Sequence, residues 1–524
     1  MRNIESKRRL AAVVAGLTAL LLFAACNAPR DTFLPQYPAI DILIRNAQVL
    51  DGLGGPAVPA DVVVVEGRIV HVGATEFSAD EIESRVVHDI DARGRYVTPG
   101  FIDLHSHGNP LETPGFENFL AMGVTTITLG QDGSSPDVED LAAWLAEVAE
   151  QGIGTNLAMF IGHGNLRNMA GTGMAPVPAP EEMQRMVEML NAALTYTFGM
   201  TTGLEYNPGL NAQSAELRAL AEVVGRRDRL VMSHMRNEDD DKLEASIAEL
   251  LEQGEFARVH ISHLKSVYGK GANRAEQILQ LLDAARASGI RITADMYPYS
   301  ASYTGIGILF PVWAKTREQF EVAKAERREE LQEYLRNRIA QRNGPEATLL
   351  GTGQFRGKRL SELAFELEMP FEDVLIDVIG PGGSDGAYFV MDDALQQRLF
   401  QDPYVGICSD GSPSGFHPRG HGTFARIIES YVEQDALLTL PEAVRKMTSF
   451  PAQLLGIEDR GVIRKGMAAD LLIFDPQNVH AVADYLDPIR LAEGFDVVIV
   501  NGRIAREDNN RSPELAGRVL LPSH

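Results

Sequence analysis

The sequence predicts an α/β protein: a (β/α)8 TIM-type barrel with a small β-sandwich assembled from both chain ends. Three observations carry this. Two sets of β segments bracket the chain, "DILIRNAQVL", "DVVVVEGRIVHVG" and "RVVHDIDARGRYVTPG" near the start and "DLLIFDP" and "DVVIVNGRIA" near the end. Between them, apolar strand-like runs alternate with segments of helical period. The strand candidates in that middle stretch are "GFIDLHSH", "VTTITLGQD", "NLAMFIGHG", "TTGLEY", "RLVMSHM", "ARVHISHLK", "RITADMYPY" and "YVGICSDG". Eight such strands alternating with helices are what a closed barrel requires.

In chain order, residues 1–26 read as a leader. "MRNIESKRR" is basic, Leu10 to Ala25 is an uncharged apolar run, and small residues precede Cys26. That run is short for a spanning helix and fits a signal-peptide core. "FAAC" is similar to a bacterial lipoprotein cleavage site, which implies lipidation of Cys26. Ordinary leader cleavage, with Cys26 incidental, is the alternative. Residues 27–38 read as a tether. The expected location is the cell envelope, with membrane contact only through the lipid.

Segments 39–98 and 456–524 are assigned to the β-sandwich, since a two-strand fragment is not stable alone. Glu66-Gly67 and Asn501-Gly502 sit between β-branched runs, where hairpin turns are expected. The barrel takes 99–455. One helix is read in "SPDVEDLAAWLAEVAEQG", with Ser135 as N-cap and Pro136 as first helical residue. Another is read in "SAELRALAEVVG", capped by Ser214, with Leu217, Leu220, Ala221 and Val224 on one face. An insertion at about 300–403 is placed to cover the barrel mouth, and its charged segment "TREQFEVAKAERREELQEYLRNRIAQR" reads as a solvated helix.

A length of 524 residues suits one large domain plus a smaller one, and 45% hydrophobic content gives an ordinary core. The net charge of -24 argues against nucleic acid or an electrostatic grip on anionic membranes. Of the two cysteines, Cys408 lies in an apolar run and reads as a buried small hydrophobe. The chain has no P-loop or dinucleotide fingerprint.

Chemistry concentrates at the ends of the predicted strands. His105 and His107 form H-x-H, and residues two apart on a strand face one side. His234 and His263 close two later strands, and Asp410 closes the last. Histidines and a carboxylate around one open space suit a catalytic divalent metal, zinc by default. Glu205, the only charged residue of "TTGLEYNPG", either faces solvent or joins that site. His71, His88, His260, His480 and His524 read as structural or solvated.

"VTPGFIDLHSHG" resembles the strand-1 signature of the amidohydrolase superfamily. "GVTTITLG", "IGHGNLR", "SHMRNE", "ISHLK", "DMYPY", "HPRGHGTFARII" and "DRGVIRKGMAADLLIFDP" are similar, more narrowly, to the N-acyl-D-amino-acid deacylases. The resemblance runs from about residue 40 to 520. It implies one or two metal ions, zinc for preference, held by His105, His107, His234, His263 and Asp410, with Asp410 also as general base and acid. It implies Lys265, Arg419 and Tyr297 as contacts for the substrate, a small N-acyl amino acid or peptide. Arg236 is a further cation near the site, or an ion-pair partner of Glu238 or Asp239. His163 is a candidate to polarise the acyl carbonyl, or a structural histidine in a Gly-rich turn.

One departure stands out. Where the family places a cysteine ligand after strand 2, this chain reads "GVTTITLGQDG", with Asp132 at that position. Asp132 is either a replacement ligand or a turn residue. Other amidohydrolases carry a carboxylated lysine at the end of strand 4. Glu205 stands there, and on this reading it is the preferred bridge between two metals. The implied reaction is amide hydrolysis by metal-activated water. The alternatives are a cyclic amide or imide hydrolase of the same superfamily, or a non-catalytic ligand-binding surface lipoprotein. Side-chain preference and oligomeric state are not readable.

Overall fold

The computed structural model describes residues 37–523. The leader, Cys26 and most of the tether lie outside that range. Among the described residues no helix is long and apolar enough to cross a membrane.

Both chain ends contribute to one nine-stranded sheet. The N-terminal part supplies β1 (Ile40–Val49), β2 (Val58–Val65), β3 (Arg68–Gly73), β4 (Val86–Asp91) and β5 (Tyr96–Pro99). The C-terminal part supplies β18 (Leu471–Phe474), β19 (Phe495–Val500), β20 (Arg503–Glu507) and β21 (Asn510–Arg511). The two halves join where β18 pairs antiparallel with β5, Leu471 opposite Pro99. Both expected hairpins are present. Glu66 and Gly67 (φ 50° and 72°) turn β2 into β3, and Asn501 and Gly502 (φ 50° and 75°) turn β19 into β20. Two successive positive φ values match the twist of the strands they connect.

All the strands predicted between the two ends form and pair in parallel, in chain order. They are β6 (Phe101–Asp103), β7 (Val124–Leu129), the broken strand β8 (Asn156–Met159) and β9 (Ile161–Gly162), β10 (Gly199–Gly203), β11 (Leu230–His234), β12 (Arg258–Ile261), β13 (Ile292–Met296) and β17 (Val405–Ile407). Phe160 N–H donates to Leu129 O at 2.9 Å and carries the ladder across the break. Last and first strands meet through a parallel bridge between Ser106 and Gly411, with Asp410 N–H donating to His105 O at 2.8 Å. The pairing therefore returns to its start, and the strand ends converge on one mouth.

Two helix starts differ from expectation. The first begins at Leu141, capped by Asp140, whose carboxylate accepts from Ala143 N–H. Ser135 instead donates its backbone N–H to Asn165 Oδ1 at 2.7 Å and stays in the loop. The second helix, Ser214–Gly225, is preceded by Gln213 at the cap position, and buries the four residues read as its inner face.

The insertion has its own apolar cluster and a three-stranded sheet of β14 (Ala301–Gly305), β16 (Asp385–Phe389) and β15 (Thr348–Leu350). Its charged segment forms two helices instead of one, Arg317–Glu326 burying Phe320 and Ala323, and Arg328–Gln341 burying Leu331, Leu335 and Ile339, and is not simply solvated. At its C-terminal end Arg338 and Arg342 both pair with Asp239, which follows β11.

The terminal sheet is fixed to the parallel strands by apolar and polar contacts. Phe101 on β6 packs edge-on against Phe495 (5.7 Å between centroids) and Phe474 (6.5 Å). Asp470 accepts from Asn156 Nδ2 at 2.9 Å and from Asn501 N–H at 2.6 Å, and Arg460 closes the buried network. Buried polar groups joined in such a network favour one arrangement of the two layers.

Candidate metal centre and active site

Asp132 is the hub of the cluster. Its Oδ1 lies 3.3 Å from His105 Nε2, 3.2 Å from His263 Nε2 and 3.7 Å from His234 Nδ1, and its Oδ2 lies 3.5 Å from His107 Nε2. Asp410 closes one side, its Oδ1 3.1 Å from His107 Nε2 and 3.7 Å from His105 Nε2. One carboxylate thus faces four imidazoles from β6, β11 and β12.

This placement needs unusual backbone. Asp132, His263 and Asp410 all adopt left-handed φ, at 53°, 37° and 48°. Such conformations cost of order 1–3 kcal/mol each and persist where surrounding contacts over-determine them. Two buried carboxylates supply those contacts. Asp103 accepts from His105 N–H (3.2 Å) and Ser409 N–H (2.9 Å), tying β6 to the segment after β17. Asp295 accepts from His263 N–H at 2.5 Å. Gly133 follows Asp132 at φ 72°, and a β-carbon there would lie 2.6 Å from Gly203 N.

Glu205 is placed differently from the bridge read for it. Its Oε2 meets only His234, at Nε2 and 3.3 Å, on the opposite side of that ring from Asp132. Asp132, on the turn after β7, stands among the four imidazoles, and Glu205 lies one imidazole further out. His263 is held the same way: its Nδ1 lies 2.7 Å from Lys265 Nζ and 3.1 Å from Glu238 Oε1. A carboxylate on the far nitrogen of an imidazole fixes the tautomer and orientation of a metal-ligating histidine.

The remaining sequence candidates divide. Arg419 lies in the cavity, its Nη1 2.6 Å from Asp410 Oδ2, its Nη2 donating to Tyr303 O at 3.1 Å, and its guanidinium 4.9 Å above the Tyr297 ring. Lys265 also lines the cavity, but its ammonium is spent on both oxygens of Glu238 (2.7 and 2.8 Å) and on His263. Arg236 is not a cavity residue: it forms a two-pronged pair with Glu249 and donates to Leu210 O and Ala212 O. Neither ion-pair partner read for it is used. His163 is fully buried, 2.7 Å from Glu216, which also binds Arg167. That buried trio leaves its ring outside the cavity, so it does not reach a carbonyl at the metal cluster.

Three cavity residues carry no role in the sequence reading. Glu238 follows His234 by one helical turn's spacing but gives no signal apart from that. Tyr206 packs tilted against His234, ring centroids 4.5 Å apart, and His417 accepts from Arg419 N–H at 3.0 Å. The "LEY" and "HPRG" segments contained them, yet only assembly of distant strands reveals their use. Cys408 is buried, as read.

The cluster's electrostatics match a cation site. Burial lowers an imidazole's affinity for protons, but Asp132 and Asp410 outweigh it and raise His107 to about 9. His263 rises to about 10 against burial and Lys265, through Asp410, Glu238 and Asp132. Burial raises a carboxyl group too, yet His105, His107 and His263 hold Asp132 well below the usual carboxylate range. Both ring nitrogens of His105 are buried without a hydrogen bond. Among the described residues two groups of donor atoms converge closely enough to share an ion: His105, Asp132, His263 and Asp410, and His234, Glu238 and His263. Nitrogen and oxygen donors of this kind suit zinc or a similar divalent ion.

Comparison with known proteins agrees with this arrangement. The model of the amidohydrolase family matches residues 363–506. The chain is 33% identical to an N-acyl-D-glutamate deacylase of Alcaligenes xylosoxydans xylosoxydans, over 88% of this chain and 93% of that one. It is 32% identical to an N-acyl-D-aspartate deacylase of the same organism, over 92% and 95%. Among solved structures, an N-acyl-D-glutamate deacylase from Bordetella bronchiseptica, complexed with zinc and a phosphonate mimic of the tetrahedral intermediate, superposes with a TM-score of 0.79. The two are 30% identical, with 92% of this chain and all of that one covered. The strand-end cluster, the shared chain length and these identities together make the chain a member of the amidohydrolase family, of the N-acyl-D-amino-acid deacylase group.

Proposed function

We propose that this protein hydrolyses the amide bond of N-acyl-D-amino acids, or of peptides ending in a D-residue, at a zinc-type centre of one or two ions. The observation that carries this is the Asp132 hub, with four histidines and Asp410 around it, facing a cavity of about 360 Å³ that Arg419 also lines. The architecture we read beneath it is a (β/α)8 barrel across residues 99–455, a β-sandwich from 39–98 and 456–524, and an insertion at about 300–403 forming part of the cavity wall.

In this reading His105, His107, Asp132 and Asp410 would hold one ion, and His234 and His263, with Asp132, a second. Bound there, a divalent cation supplies water acidified toward a pKa of about 7 and polarises the amide carbonyl. Asp410 takes the proton of the attacking water and hands it to the nitrogen of the breaking C–N bond. Arg419 keeps Asp410 ionised and has further N–H donors for the substrate carboxylate. Tyr297 supports the guanidinium from below. A carboxylate fixed at Arg419 and a carbonyl fixed at the cluster leave one enantiomer with its α-hydrogen and side chain correctly disposed.

The test is metal analysis together with a screen of N-acyl-D- and L-amino acids, using protein lacking residues 1–26. Stoichiometric metal and D-selective release of amino acid support the proposal. Cleavage of cyclic amides alone would favour the cyclic-amide reading, and metal without any amide hydrolysis the non-catalytic one. Localisation at the cell envelope through lipidated Cys26 rests on residues 1–26 alone, and a mass of the mature N-terminus tests it.

A further inference from the structure

Among the described residues six carboxylates line the cavity at the cluster: Asp132, Glu205, Glu238, Asp239, Asp385 and Asp410. Asp132 and Glu205 face histidines, and Glu238 holds Lys265. Asp239 is shared by Arg338 and Arg342, and Asp410 holds Arg419. Asp385 forms no ion pair among the described residues. It is half-buried, on the first residue of β16 in the insertion. Burial raises its carboxyl above the usual range, and only the Tyr303 hydroxyl works against this. The backbone aims this carboxylate into the cavity. Asp385 stands opposite Gly305 across the β14–β16 pair. Gly305 follows Tyr303 by two residues, so both present the same face, and Tyr303 lines the cavity. A β-carbon on Gly305 would lie 3.8 Å from Asp385 Oδ1. The carboxylate therefore leans over a position with no side chain to cover it.

We infer that Asp385 selects the substrate's side chain, and that the D-residue released is a basic one, of lysine or arginine type. This rests on the deacylase reading and narrows it. With the α-carboxylate at Arg419 and the acyl carbonyl at the cluster, the side chain is left to the insertion wall of Ser302, Tyr303, Thr304, Ile308 and Asp385. Arg419 donates to Tyr303 O, which puts the carboxylate site beside β14. The Gly305–Asp385 pair stands two residues further on, about 7 Å along the strand. A lysine side chain reaches roughly 6 Å from Cα to Nζ, which suits that span. Its ammonium, or a guanidinium, would give Asp385 the counter-charge the protein itself withholds. A neutral side chain would leave the carboxylate unpaired, and an acidic one would meet like charge. The cavity's other cations are held elsewhere. Lys265 is bound to Glu238, and Arg342 is 3% exposed, pairs with Asp239 and lies over the Tyr388 ring at 5.4 Å. The relatives named for D-glutamate and D-aspartate would then differ from this chain in the side chain they accept.

The test measures amino-acid release by the zinc-loaded protein from the Nα-acetyl derivatives of D-arginine, D-lysine, D-methionine and D-glutamate. Methionine is the uncharged side chain of similar length. The expected kcat/KM for the two basic substrates is at least about tenfold above that for methionine and about a hundredfold above that for glutamate. Asp385→Asn is expected to bring the arginine-to-methionine ratio close to one, and Asp385→Lys to turn the preference toward glutamate. Methionine or glutamate cleaved as well as the basic pair by the unaltered protein would overturn the inference and leave the deacylase reading standing. A folded Asp385→Asn protein that keeps the unaltered ratio would do the same. Release from none of the four would overturn both. The substrate series needs no variant, so a misfolded Asp385 variant does not protect the inference.

Discussion

At the scale of single residues, the account turns on which carboxylate sits among the histidines. Asp132 faces all four and Glu205 faces one, from behind. Asp132→Ala is expected to lose at least half of the bound metal and roughly a thousandfold in kcat/KM, the several kcal/mol that metal catalysis supplies. Elemental analysis and steady-state kinetics on one preparation check both. Glu205→Gln should keep its metal when loaded but bind it roughly 10–100-fold more weakly, as for other losses of a histidine's outer partner. A Glu205→Gln protein that cannot be loaded would return Glu205 to the ligand set. Arg419→Met removes a charged hydrogen-bond donor worth about 1.5–3 kcal/mol, so kcat/KM should fall roughly 10–100-fold. If Arg419 binds the substrate carboxylate, substrates amidated at that carboxylate should lose little more on the same substitution.

At the scale of elements, the histidine pairs were readable because strand periodicity and strand endings are local properties. H-x-H must present both rings to one side, and a histidine closing a parallel strand must stand at the mouth. Asp132 was not readable in this way. "QDG" is a turn in any fold, and only the left-handed step into Gly133, packed against Gly203, aims the carboxylate inward. Arg236 shows the same limit from the other side: its true partner, Glu249, lies on the next helix, beyond any neighbour a local reading weighs. The insertion also depends on long-range pairing. Arg338 and Arg342 share Asp239, with all three side chains largely buried. Asp239→Ala would leave two guanidinium groups without their shared counter-charge, at a cost of about 3–5 kcal/mol. A urea unfolding curve should report that loss, or a separate early transition if the insertion unfolds alone.

At the scale of the whole molecule, the site depends on both ends of the chain being in place. The terminal strands were legible as β structure from their alternation and hairpin turns. That both ends build one β unit was an expectation from sequence; which strands join them, β18 with β5, was not. The Phe101–Phe474–Phe495 contact and the Asp470 network fix that sheet against β6 and β8, next to the strand that ends in His105 and His107. Phe495→Ala should therefore cost about 3–5 kcal/mol in global stability while leaving metal stoichiometry intact under native conditions. The measurement that tests the central claim most directly is amino-acid release from matched N-acyl-D and N-acyl-L substrates by the zinc-loaded protein. The account predicts that the D-enantiomer is cleaved, that its L-counterpart is cleaved at least about a hundredfold more slowly, and that chelation abolishes the activity. Faster cleavage of the L-substrate, or full activity after complete metal removal, would contradict it.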